Sequence, residues 1–312
     1  MTAALALARS RRVVLSLTER WREAPPRVDA LPLPLLAVLV ELGVHPARLG
    51  ADRVYTDSLS SWESPDPGIR NGGRKAHVDR QRLERELMRR VEDHDAIVIT
   101  TGAAPGAYRK AVDATGRRAI TATSVREPPR RWLARTFSLH GSFSAAQSAL
   151  RIAALPGGYG YRLGTSELIT LGLVGPVGAI ATAAEMAGQL EEAGAAWILA
   201  GLPPVEEMES GRGGVSSVQW TEAGSSAARI GDADFACDAL ASQGLAGGMS
   251  DAMQLDEAPA VRAVRAAHRR SSHLAHLCEA IARCRFSSAP AWRDYRLFLE
   301  AADPGGRKEE LT

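Results

Sequence analysis

Two spacings of apolar residues organise the 312-residue chain. A period near 3.6 marks helices, and short unbroken apolar runs mark buried strands. Residues 2–9 (TAALALAR) are rich in Ala and Leu, both strong helix formers, and Val13-Val-Leu-Ser-Leu17 follows as a strand. Residues 35–42 (LLAVLVEL) read as a helix stopped by Gly43. Leu83, Leu87 and Val91 are spaced by four and give one apolar face to a helix over residues 78–91. A buried strand over 96–100 comes next. Residues 157–164 and 168–174 read as two strands joined by a turn at Thr165-Ser166. Residues 181–193 read as a helix and 216–220 as a third strand, and helices are expected over 261–285 and 292–299, before a polar tail at 303–312. Pro25, Pro26, Pro32 and Pro34 mark irregular backbone ahead of the 35–42 helix. The Ser-, Pro- and Gly-rich segment 57–73 reads as a loop over a pocket mouth.

Composition narrows the class. The hydrophobic share is 45% and the formal net charge is +2, which suits a globular protein and gives no electrostatic argument for nucleic acid. No run of 18 apolar residues offers a membrane span, and the apolar start, broken by Arg9, Arg11 and Arg12, lacks the order of a secretion signal. Three cysteines (Cys237, Cys278 and Cys284) without a C-x-x-C pair suit a reducing compartment, so a cytoplasmic protein is expected. His268, His273 and His276 lie close in sequence but have no acidic partner at ligand spacing, so no metal site is expected.

The chemistry concentrates in residues 229–245. Gly231 permits a tight turn that carries Asp232, and a small-residue helix begins near Gln243. The start of that helix presents unpaired N–H groups and the positive end of a dipole, where an anionic group can rest. A carboxylate beside it can accept hydrogen bonds from sugar-like hydroxyls. Earlier in the chain, the helix, turn and strand over residues 2–17, closed by Thr18-Glu19-Arg20, have the form of the latter half of a dinucleotide-binding βαβ unit. Residues 111–116 read Ala-Val-Asp-Ala-Thr-Gly.

In order and in type these segments resemble the FAD-dependent aromatic monooxygenases and flavin-dependent halogenases, proteins of the p-hydroxybenzoate-hydroxylase-type fold. In that family a Gly-Asp pair, here Gly231-Asp232, binds the ribityl chain. An Asp-Pro-x-x-Gly-Gln-Gly run then brings a helix start against the flavin ring. Here that run is Asp238-Ala-Leu-Ala-Ser-Gln-Gly244, with Ala239 in place of Pro and Ser242 in place of Gly. The resemblance therefore assigns Gln243, Gly244 and Leu245 to the ring. It assigns Glu19, with Arg20 beside it, to the adenosine ribose, Arg80 to the diphosphate, and Gly116 to a close backbone approach. It implies an α/β protein with a Rossmann-like, three-layer FAD-binding domain from residues 1–56, 76–120 and 223–256. A mixed-sheet substrate domain would come from 57–75 and 121–222, and a C-terminal helical segment from 257–312. Trp62, Tyr159, Tyr161 and Trp220 are the candidate aromatic lining. The family's Gly-x-Gly-x-x-Gly fingerprint, due before the first helix, is absent, and the family's first strand with it. Either the start codon is placed too late, or this is a shortened homologue with weakened FAD affinity.

By the same resemblance, reduced FAD reacts with oxygen to give a C4a-hydroperoxide that hydroxylates an electron-rich ring. The electrons would come from NADH, NADPH or a partner flavin reductase. The substrate would be an aromatic small molecule or a peptide, with free or peptidyl tryptophan a candidate, and no nucleic acid or membrane is involved. The halogenase branch carries Trp-x-Trp-x-Ile-Pro and a lysine. That stretch is absent here, and Lys75 and Lys110, the only lysines before the tail, lie in no halogenase context. Hydroxylation is favoured over halogenation. A binding protein without FAD chemistry, and a flavin reductase acting on an isoprenoid double bond, remain alternatives.

Overall fold

The computed structural model describes residues 1–17, 25–102, 108, 111–176, 182–211, 214–221, 227–238, 240 and 244–302. The chain opens with α1 (Thr2–Ala8) and β1 (Val13–Leu17), followed by β2 (Val28–Pro32), α2 (Leu33–Glu41) and the hairpin β3 (Val54–Ser61) and β4 (Gly68–Asp79). Next come α3 (Arg80–Glu92), β5 (Ile97–Thr101), β6 (Val112–Asp113), β7 (Val125–Arg126), β8 (Trp132–His140) and α4 (Ala145–Ser148). The strands β9 (Arg151–Leu155), β10 (Gly158–Gly164) and β11 (Leu168–Pro176) precede α5 (Ala183–Glu192). Short strands β12 (Glu209–Ser210), β13 (Gly214–Val215), β14 (Gln219–Thr221), β15 (Ala228–Arg229) and β16 (Phe235–Ala236) lead to α6 (Gly244–Met253), α7 (Pro259–Ala282) and α8 (Pro290–Ala302).

A nine-stranded curled sheet dominates, in the order β12-β8-β11-β10-β9-β3-β4-β2 with β13 also on β8. Its pairs are antiparallel except β3 with β9. Every residue of β11 is buried, as the apolar run of that strand requires when both faces are covered. Met186 and Leu190 of α5 pack on one face with Phe137 and Leu171. Helices α7 and α8 pack on another region with Trp62, Trp132 and Tyr159. A separate core joins α1, α2, α3 and α6 to β1 and β5, which pair in parallel from Val13↔Ile97 to Leu17↔Thr101. A third parallel pair sets β6 beside β15, Ala228↔Val112 and Arg229↔Asp113.

The expected α/β class, with a mixed sheet and C-terminal helices, is the one found. Several local expectations are corrected. Segment 57–73 is the β3–β4 hairpin and not a loop. Its ladder is held by backbone pairing from Asp57↔Asn71 to Ser60↔Gly68, and the first seven residues of β4 are exposed, so no apolar pattern is needed to form it. The Pro-rich stretch contains a strand, β2, whose Pro32 closes an edge where a missing N–H costs no ladder bond. Helix α3 starts at Arg80, two residues later than Val78, because the Asp79 carboxylate accepts the N–H groups of Gln81 and Arg82 as its cap. The third strand of 216–220 is β14, which pairs with β16 and β7 and stands apart from the large sheet. The expected domain limits at 56/57 and 75/76 fall inside β3 and β4. The 303–312 tail lies outside the described residues. Among the described residues no helix is long and apolar enough to cross a membrane.

Candidate functional site

A cavity of about 640 Å³ opens between the parallel-strand layer and the curled sheet, within the range of small-molecule and cofactor sites. Its walls come from the first residues of α1, β2, the start of α3, the turns after β6 and β15, the residues Cys237, Asp238 and Leu240, the start of α6, β13, and one face of β8, β9 and β10.

The sequence motifs meet in this cavity. Because β6 and β15 run parallel, the Ile230 N–H donates to the Asp113 carbonyl (3.0 Å), so the Asp-Ala-Thr-Gly and Gly-Asp segments end side by side. The buried Asp113 carboxylate then shapes the first loop. Its Oδ1 accepts the N–H and hydroxyl of Thr115 (3.0 and 2.6 Å), and its Oδ2 accepts those of Thr121 (2.9 and 2.8 Å). Burial pushes the Asp113 carboxyl upward, but these four donors outweigh it and hold it below the usual carboxylate range. Gly116 leaves this loop at φ +67 with open space where a Cβ would sit, and it lines the cavity.

Gly231 also takes a positive φ, +56, and a Cβ there would lie 3.1 Å from the Cα of Gly248 in α6. Two glycines thus let the turn rest directly on the helix. The Gly231 N–H donates to Asp251 Oδ2 (2.9 Å), while Arg269 of α7 pairs with Asp251 and lies 3.7 Å from Asp234. This ion cluster fixes the angle at which Asp232 enters the cavity. Arg269 is half-buried within it. Gly244 begins α6, and a Cβ at that position would lie 3.5 Å from Asp232 Oδ1. Burial raises the Asp232 carboxyl, and the charges of Arg117, Arg80 and Arg27 oppose that shift.

Arg80 is the first residue of α3 and lines the cavity, held by Glu84 (2.5 Å) and Asp29 (3.2 Å). Two further arginines, which no sequence motif marked, complete this end. Arg27 lies 3.8 Å from Asp29. Arg117 donates to the carbonyls of Ser217 (2.6 Å) and Cys237 (3.3 Å), and its Nε stands 4.0 Å from Asp232. Three guanidinium groups gather at this end, set among Asp29, Glu84 and Asp232. The opposite end is apolar and aromatic, with Ala134, Leu150, Ile152, Leu163, Val215 and the rings of Tyr159 and Tyr161. Burial drives the Tyr161 hydroxyl up to about 12, so it stays neutral.

Of the residues expected to hold a cofactor, Arg80, Gly116, Gly231, Asp232, Gly244 and Leu245 line this one cavity, whereas Glu19, Arg20 and Gln243 lie outside the described residues. Tyr159 and Tyr161 also line it. Trp62 and Trp220 are corrected, since neither reaches the cavity. Trp62 is buried with its indole N–H on the Ala280 carbonyl (2.7 Å) and its ring edge-on to Trp292. Trp220 packs against Phe298. Both are core rings, as strand and loop aromatics commonly are.

The donor set suits a flavin dinucleotide. The arginines match a diphosphate, Asp232 can accept from ribityl hydroxyls, and the glycines at 116, 231 and 244 leave room for close approach. No protein-family model matches the chain, and no curated protein matches it by sequence. Solved structures do match its fold. The myxobacterial chondrochloren halogenase CndH, a variant of FAD-dependent halogenases, aligns over 99% of this chain and 88% of its own at 16% identity and TM-score 0.68. The peptidyl tryptophan dihydroxylase QhpG aligns over 95% of this chain and 75% of its own at 16% identity and TM-score 0.65. BrvH, a flavin-dependent halogenase from Brevundimonas sp. BAL3, aligns over 95% and 79% at 12% identity and TM-score 0.67. The chain has the fold of the FAD-dependent monooxygenases and halogenases, as its motifs led one to expect.

Proposed function

We propose that this chain, with the fold of the FAD-dependent monooxygenases and halogenases, is a monooxygenase that hydroxylates an electron-rich aromatic ring. The supporting observation is one continuous cavity whose arginine- and glycine-lined end carries both motifs and whose other end is apolar and aromatic. Arg27, Arg80 and Arg117 would neutralise the diphosphate, Asp232 would hold the ribityl hydroxyls, and Gly244 with Leu245 would lie against the ring. Bound FAD supplies the oxygen chemistry, which no side chain provides. The protein orients the ring of the substrate and keeps water from it, with Ile152, Leu163 and Val215 forming the dry wall. The substrate class is an indole or phenol, free or carried on a peptide, and the electrons come from NADH, NADPH or a partner flavin reductase. Hydroxylation is preferred to halogenation because no lysine lines the cavity among the described residues. Lys75 sits on β4 opposite Pro32 and Tyr55.

A second reading has its own observation. Among the described residues outside the large sheet, the parallel strands form two separate pairs, β1 with β5 and β6 with β15, and not one continuous layer, which favours a protein that holds no flavin and binds a partner. Flavin titration decides between the two readings. Fluorescence quenching with a saturable endpoint, together with oxygen uptake coupled to NADH oxidation and stimulated by indole or phenol, supports the monooxygenase. No titratable binding rejects it. Product formation that requires halide reassigns the reaction.

A further inference from the structure

A second cavity, of about 270 Å³, adjoins the Gly231 turn and shares only Ile230 with the first. It is walled by β15, by Asp251 of α6 with Gln254 just beyond that helix, and by residues 259–266 of α7. Its polar lining consists of Arg229, Arg262, Arg265, Asp234, Asp251 and Gln254, and the rest is alanine with Ile230 and Pro259. Both carboxylates are already engaged. Asp251 accepts the Gly231 N–H (2.9 Å) and pairs with Arg269, and Asp234 lies 3.7 Å from Arg269. Burial raises the Asp234 carboxyl, and Arg269 and then Arg229 oppose that rise. Arg265 is held by Glu257 (2.6 Å). Arg262 differs from these. Its side chain makes no hydrogen bond or ion pair among the described residues, and its Nε is shut from solvent without an acceptor. Arg229, Arg262, Arg265 and Arg269 thus meet three carboxylates, and the surplus positive charge stands on Arg262 at the cavity wall. The volume is just below the range of drug-sized ligand sites, and the alanines offer no aromatic or large apolar face. A compact anion fits this wall better than a ring does.

We propose that this second cavity binds a small phosphate, free or as a monoester, on Arg262 and Arg229, and that its occupancy tightens binding in the first cavity. The planar fork of a guanidinium matches two phosphate oxygens at once, and the Gln254 amide adds a neutral donor at the same wall. The coupling follows from shared parts. Arg229 ends β15, immediately before the Gly231 turn, while Arg262 belongs to α7. The two come together only when β15, the turn and α7 are packed as they are here. Asp232 reaches the first cavity only when the same turn is held by Asp251 and Arg269. Each ligand therefore favours the arrangement that the other needs, and the effect is reciprocal. The coupling rests on the reading of the first cavity as a flavin site, and the phosphate site does not.

Calorimetric titration of the full chain with inorganic phosphate and with glycerol phosphate, at ionic strength held constant with sodium chloride, tests this. Saturable one-site binding is expected for the wild type. Arg262→Gln should weaken it by about tenfold or more, the loss of a charge-assisted hydrogen bond. Arg12→Gln, which removes the same charge from an exposed position outside both cavities, should change it less than about twofold. Tighter binding of glycerol phosphate assigns the site to a phosphate ester, and tighter binding of inorganic phosphate assigns it to the free ion. Each supports the site. No saturable binding in the wild type overturns the proposal, and that arm needs no variant. An equal loss in the two variants also overturns it, because net charge alone would then explain the binding. Saturating phosphate should raise flavin affinity about fivefold in the wild type and leave it unchanged in Arg262→Gln. Flavin affinity indifferent to phosphate overturns the coupling. Phosphate binding in a protein that takes up no flavin would reject the monooxygenase reading alone and leave the phosphate site standing.

Discussion

Asp232 and Asp113 are both acidic residues of flavin-type motifs, yet their surroundings give them opposite roles. Among the described residues the one cation within ion-pair distance of Asp232 is Arg117 at 4.0 Å, so its carboxylate is open to a ligand. Asp113 is spent on four protein donors. Asp232→Ala should weaken flavin binding by about tenfold or more, the loss of a charge-assisted hydrogen bond of about 1.5–3 kcal/mol, with little change in melting temperature. Fluorescence titration beside thermal unfolding checks it. Asp113→Asn should instead lower the melting temperature, because at least one donor from Thr115 or Thr121 loses its acceptor at a cost of about 1–3 kcal/mol. Its carboxyl is depressed in the folded state, so that stability is present above the unfolded value and is lost as the pH falls through the folded one. The histidines act in a different window. His77, stacked on Tyr55, and His273 are each pushed by burial from 6.5 to about 4. Between those values the unfolded chain binds more protons than the folded one, so stability should fall as the pH drops from about 6.5 to 4. His77→Gln should flatten the curve of melting temperature against pH in that window, and an unchanged slope would refute the assignment.

At the scale of elements, the contact of the Gly231 turn with α6 carries the site. Gly231→Ala places a Cβ 3.1 Å from a backbone atom and asks Ala to hold a positive φ, a conformation that costs an L-residue about 1–2 kcal/mol. Both melting temperature and flavin affinity should drop. The hairpin at 57–73 shows where periodicity has no purchase. An exposed two-stranded ladder is satisfied by backbone bonds alone, so Asn71, Gly72 and Gly73 serve as well as β-branched residues would. The helices were legible because Leu83, Leu87 and Val91 have to point one way into a core, and Asp79→Ala should cost α3 about 1 kcal/mol as a lost cap.

For the whole molecule, the site depends on residues that never enter it. Arg269 belongs to α7, 37 positions from Asp232 along the chain, and clamps Asp251 and Asp234 around the Gly231 turn. Arg269→Ala should therefore lower flavin affinity several-fold although the residue does not line the cavity, and Arg269→Lys should restore part of it by retaining the charge without the fork. Affinity unchanged in the alanine variant would show that the turn is held by the Gly231–Gly248 contact alone.

The chain's own order of residues determined the helices with one apolar face, the strands β1, β5, β10 and β11, of which β1 and β5 are only partly buried, and the two short motifs at 113–116 and 231–232. Those depend on local spacing and on backbone conformations that only glycine adopts cheaply. Tertiary structure decided what spacing cannot encode. It set the two motifs one hydrogen bond apart, it brought Arg27 to the cavity from a segment with no motif and turned Arg117, the residue after Gly116, into it, and it put Trp62 and Trp220 in the core while leaving Tyr159 at the wall. A side chain's partners across a sheet or between layers are fixed by how the whole chain buries its apolar surface, and the same residue type can be lining or filling depending on that alone.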